Sequence, residues 1–122
     1  MAGLVRIPWH AWLPLPWRKW RPVLRVENGD EIPERLPAKG AVLVGGPEEP
    51  RWIAFACPCD ADHSIMLNLD PSRAPYWIVR KLKPLTITPS VDYLTPSRRC
   101  HFWVREGRIV WVPDEDESGQ HG

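Results

Sequence analysis

His101-Phe102-Trp103-Val104-Arg105-Glu106-Gly107-Arg108-Ile109-Val110-Trp111-Val112 is a β-hairpin written out in residues. Two runs rich in β-branched and aromatic side chains flank Arg105-Glu106-Gly107, and a glycine there supplies the backbone freedom that a tight turn needs. The same grammar recurs back along the chain. Val23–Val26 precedes the turn Asn28-Gly29-Asp30, and Ala41–Val44 stops at Gly45-Gly46-Pro47. Trp52–Ala56, Ile65–Leu69, Trp77–Arg80 and Leu85–Thr88 complete the set. Short strands divided by turn chemistry predict an all-β, single-domain sandwich or half-open barrel. No repeat and no helical period competes with that reading.

Composition agrees. The chain has 122 residues, of which 15 are proline and 8 tryptophan. Each proline removes a backbone donor and fixes φ, so long helices are excluded. Net charge is only +1 but unevenly spread. Residues 1–25 hold Arg6, Arg18, Lys19, Arg21 and Arg25 with no acid, whereas Asp114-Glu115-Asp116-Glu117 lies near the C-terminus. Three regions follow: a Trp/Pro/Arg-rich irregular arm over 1–22, a β domain over 23–113, and an acidic tail over 114–122, expected to be disordered. In the arm, Trp9, Trp12, Trp17 and Trp20 sit among prolines; the arm is expected to pack partly on the sheet of its own domain and to leave at least one tryptophan for a partner. No apolar run reaches the ~20 residues of a membrane span. Pro8, Pro14 and Pro16 interrupt the N-terminal apolar stretch, so no signal peptide is visible. An odd cysteine count then argues for a reducing cytoplasm and against a disulfide framework.

The chemistry-bearing residues cluster. Cys57-Pro58-Cys59-Asp60-Ala61-Asp62-His63 is matched by Cys100-His101, so all three cysteines fall in two knuckles at strand ends. Thiolates and imidazoles grouped in this way predict a tetrahedral zinc site that staples the domain. Five ligands, Cys57, Cys59, His63, Cys100 and His101, compete for four positions. Cys57 and Cys59 share a face in extended geometry, but Cys100 and His101 point opposite ways on a regular strand. The set expected is Cys57, Cys59, Cys100 and one histidine, His101 ahead of His63.

Other chemistries find less support. An open, catalytic zinc would need a base, for which Glu106, Asp60 and Asp62 are the nearest acids. A serine nucleophile is disfavoured, because neither Ser64 nor Ser90 lies in a Gly-x-Ser-x-Gly elbow. Cys57-Pro58-Cys59 lacks the Cys-x-x-Cys spacing of thiol exchange. Arg98-Arg99 and Arg80-Lys81-Leu82-Lys83, with exposed tryptophans, offer a nucleic-acid surface of the zinc-knuckle kind. The near-zero net charge argues against it.

Cys57-Pro58-Cys59 with His63, then Leu85-Thr86-Ile87-Thr88-Pro89-Ser90, then His101-Phe102-Trp103-Val104 and Gly107–Trp111 resemble a small bacterial family of unknown function. That family shows a Cys-Pro-Cys-Gly-Cys-Gly-type knuckle, a Thr-x-x-Pro-Ser segment and a late cysteine with Ser-His-Phe. Its genes often lie beside those for activating (E1-like), conjugating (E2-like), JAB-type peptidase and ubiquitin-like proteins. The resemblance spans about residues 27–112. Two departures stand out: Ala61 replaces a knuckle cysteine, and Cys100 abuts His101 directly. The resemblance implies a zinc-binding accessory or adaptor protein of a bacterial ubiquitin-like conjugation system, working through protein partners rather than as an enzyme. The alternatives are a zinc-ribbon-like nucleic-acid-binding module and, more remotely, a zinc-dependent hydrolase.

Overall fold

The computed structural model describes residues 7–13, 17–46, 48–58, 64–94 and 99–113. Eight strands run in chain order: β1 (Arg21–Val26), β2 (Gly40–Gly45), β3 (Pro50–Ala56), β4 (Ser64–Asn68), β5 (Ile78–Leu82), β6 (Leu85–Leu94), β7 (Arg99–Arg105) and β8 (Arg108–Trp111). They form two four-stranded sheets, β1-β2-β3-β4 and β5-β6-β7-β8, neither closed into a barrel. All neighbours are antiparallel except β1 and β2, which pair in parallel. A parallel pair cannot be joined by a tight turn. Residues 27–39 make the crossover, and Asn28-Gly29-Asp30 begins a short 3-10 turn over Gly29–Glu31 instead of a hairpin. Among the described residues there is no α-helix.

Strand alternation explains the layering. Leu43, Ile53, Phe55, Ile65 and Leu67 of the first sheet meet Leu85, Ile87, Val91, Phe102 and Val104 of the second in one core, so the two sheets form a sandwich. Phe55 and Phe102 touch edge to face across it, with centroids 6.4 Å apart, a favourable aromatic geometry. Ala41-Val42-Leu43-Val44 is buried at every position. Its even members face a second cluster, where Leu24, Ile32, Leu36 and Trp52 cover the sheet's outer side. A strand covered on both faces reads as an unbroken apolar run.

The arm is divided between core and surface. Trp20 is 6% exposed and packs on Phe55, and Arg21-Pro22 already belongs to β1, so the first strand begins two residues before the expected arm boundary. Trp9 and Trp17 are each 74% exposed. Cys59, His63 and the tail 114–122 lie outside the described residues. No described helix is long and apolar enough to cross a membrane.

Candidate active site

On β7, Cys100, Phe102 and Val104 are buried in the core, so His101 and Trp103 project from the opposite, outer face of the sheet. Asp92 of β6 stands directly across the ladder from His101, and Val91 across from Phe102. The next aligned pair is Ile87 and Val104, so Thr88, Pro89 and Ser90 together oppose Trp103 alone. Pro89 has no N–H to give a ladder, and a proline inside a strand belongs at such a break. This irregularity sets Ser90 beside the imidazole. Ser90 Oγ is 3.1 Å from His101 Nε2, with both residues half-buried.

The surroundings hold this pair. The Trp77 indole Nε1–H donates to the Ser90 carbonyl at 3.1 Å. Asp92 accepts two hydrogen bonds from Arg99, from Nε at 2.8 Å and from Nη2 at 2.7 Å. The Arg99 hydrogen bond is the main cause holding the Asp92 carboxyl below its ordinary range; desolvation opposes it, and the charges of Arg99 and His101 add to it. The Asp92 carboxyl, across the ladder from the imidazole, is therefore held in its ionised form. Trp77 also forms a wall of an open groove of about 660 Å³, together with Trp52, Met66, Asn68, Arg73 and Pro75. Asn68 Nδ2 donates to the carbonyls of Asp70, Arg73 and Pro75, which fixes the loop on that rim.

The cysteines fall elsewhere. Cys57 and Cys100 meet in the core, their sulfurs 3.6 Å apart. Cys57 is a free thiol, while Cys100 is disulfide-bonded, which departs from the expectation that all cysteines are reduced. His101 is turned away from them toward Ser90, because β7 is regular there. Of the three expected ligands among the described residues, the structure thus brings together Cys57 and Cys100 and sets His101 apart. Among the described residues no three metal-ligating side chains converge. Glu106, considered as a base, is bound to Lys81 at 3.2 Å in the β7–β8 turn. Of the basic residues weighed for nucleic acid, Arg99 is held by Asp92 and Arg80 donates to Thr88 Oγ1 at 3.0 Å.

A serine hydroxyl hydrogen bonded to an imidazole is the nucleophile–base pair used by acyl-transfer hydrolases on many unrelated folds; Asp92, across the ladder from the imidazole, is itself bound by Arg99. The fold and site define a β-sandwich that carries such a pair on the outer face of one sheet. The family model described as bacterial ubiquitination-like system serine protease (BubE) matches residues 28–112, and the chain belongs to that family. The match contains Trp77, Ser90, Asp92 and His101, and it links the chain to a bacterial ubiquitin-like system. No curated protein and no solved structure matches the chain. The sequence disfavours Ser90 as a nucleophile only because it lacks the Gly-x-Ser-x-Gly elbow. That elbow is a strand-to-helix turn, however, and this serine is placed by a break in a ladder. Proline inside a strand, followed by serine and two residues later by aspartate, was the available signal.

Proposed function

We propose that the chain is a serine peptidase that cleaves the bond between a ubiquitin-like protein and the group attached to its C-terminal tail. The observation that carries this reading is the 3.1 Å contact between Ser90 Oγ and His101 Nε2. Ser90 Oγ attacks the scissile carbonyl while His101 Nε2 takes its proton. The C–N bond then breaks, and the same nitrogen hands that proton to the leaving amine. Water, deprotonated by His101, hydrolyses the acyl-serine and frees the carboxylate. Asp92 favours the imidazolium formed in both halves, and Trp77 holds the backbone of the nucleophile. A fluorophosphonate probe tests this reading. A covalent adduct mapped to Ser90, lost in Ser90→Ala and His101→Ala, supports it; labelling elsewhere or none by a folded protein overturns it.

A structural zinc remains compatible with this peptidase. Two thiolates on one tetrahedral zinc, with bonds of about 2.3 Å, stand about 3.8 Å apart, close to the 3.6 Å between Cys57 and Cys100. We propose that these two sulfurs, once Cys100 is reduced, are two of the zinc ligands, with Cys59 and His63 as the other two. His101 is committed to Ser90. The metal would tie β3 to β7 and supply no catalytic step. Elemental analysis of protein purified under reducing conditions should find close to one zinc per chain; a folded, zinc-free protein would remove the proposal.

A further inference from the structure

A second concavity lies across the β5–β8 sheet from the Ser90–His101 pair. Its volume is about 600 Å³, and its walls come from the end of the arm, the end of β3, and β8. Trp111 lines it and stacks edge to face on the core residue Phe102, whereas His101 projects from the other face of the same sheet. The lining is cationic and aromatic: Arg18, Lys19, Lys39 and Arg108 contribute positive charge, and among the described residues no aspartate or glutamate lines the cleft. Trp17 and Trp111 are 74% and 51% exposed, so the cleft presents large rings beside its cations. That pairing of tryptophan with arginine is characteristic of binding hot spots.

Arg18, Lys19 and Arg108 stand together in this one lining. Cations gathered in this way gain from a negatively charged occupant. The chain carries one close by, since Asp114-Glu115-Asp116-Glu117 begins three residues after Trp111. At about 3.5 Å per extended residue, all four acids lie within about 20 Å of chain reach from the cleft wall. A short tether of this kind holds a segment at millimolar effective concentration.

We propose that this cleft is a docking groove for an acidic, extended peptide, and that residues 114–117 of the same chain occupy it in the free protein. The proposal is independent of the peptidase reading, because the cleft and Ser90 lie on opposite faces of one sheet. The test uses full-length protein with the tail neutralised by Asp114→Asn, Glu115→Gln, Asp116→Asn and Glu117→Gln, and a fluorescently labelled Asp-Glu-Asp-Glu peptide followed by anisotropy. The neutralised chain should bind this peptide at least roughly tenfold more tightly than the unaltered chain, since the competing tethered segment is gone. Adding Lys19→Glu and Arg108→Glu, or raising salt so that charges are screened, should erase the binding. In the unaltered chain, the indole N–H resonances of Trp17 and Trp111 should move on tail neutralisation while those of Trp77 and Trp103 stay fixed. Equal affinity of the two chains, absence of binding by both, or binding that survives charge reversal would each overturn the proposal.

Discussion

At the scale of single residues, Ser90, His101 and Asp92 have separable roles. Ser90→Ala and His101→Ala should each lower peptidase turnover by roughly 10⁴-fold or more, because nucleophile and base act as a unit. Both should melt near the wild-type temperature, since neither side chain lies in the core. Asp92→Asn keeps the shape and removes the charge opposite His101, so its loss should be smaller, roughly 10²–10⁴-fold. Arg99 governs Asp92 in a way that acid unfolding can read. The folded Asp92 carboxyl sits below its ordinary value, so its contribution to stability is present above the unfolded pKa of about 3.9 and is lost as pH falls through the folded pKa. Arg99→Ala should therefore lower the melting temperature at neutral pH, and the gap should close on acidification below about pH 4. A gap that stays constant down to pH 2 would mean that Arg99 acts through packing alone.

At the scale of elements, turns and strands were readable because both faces of each sheet leave their mark on the sequence. Ala41–Val44 is unbroken because it is covered twice, and the β7–β8 hairpin alternates because only one of its faces is deeply buried. The long β6 is legible in the sequence only as far as Thr88, since by local rules a proline such as Pro89 ends a strand. The ladder absorbs the proline by skipping residues against Trp103, a non-local adjustment that no local pattern contains. The Ser90–His101 contact is absent from any local pattern for the same reason: it depends on the β6–β7 register, whereas each cysteine knuckle is contiguous in sequence. The turn glycine shows how such elements are joined. Gly107 has φ +75°, its N–H donates to the Leu85 carbonyl, and its carbonyl accepts from the Trp20 N–H, both at 2.8 Å. A β-carbon there would stand 2.6 Å from Lys19 Cβ and 3.0 Å from Pro84 Cβ. Gly107→Ala should cost about 1–2 kcal/mol for the left-handed backbone alone, with further loss as the arm is pushed off. Denaturant unfolding should show that total exceeding the same substitution at Gly46, which has nothing within 4 Å.

At the scale of the whole molecule, the arm decides what counts as the domain. The family match begins at residue 28, and composition placed the boundary near 22, yet Trp20 belongs to the central core. Its N–H and carbonyl close a ring of hydrogen bonds with Gly107 and Leu85, which ties the arm to the second sheet. Composition missed this because all four arm tryptophans look alike in sequence, and only the sandwich distinguishes the buried one from Trp9 and Trp17. Two truncations separate the roles. Removing residues 1–16 takes away exposed or partly exposed rings, and the melting temperature should fall by only a few degrees. Removing residues 1–22 deletes Trp20 and the first two residues of β1. Losing a buried tryptophan costs about 3–5 kcal/mol, and at about 4 °C per kcal/mol that lowers melting by well over 10 °C. If the shorter truncation proves as damaging as the longer one, the stabilising contact lies upstream of Trp20, and the arm must be treated as core along its whole length.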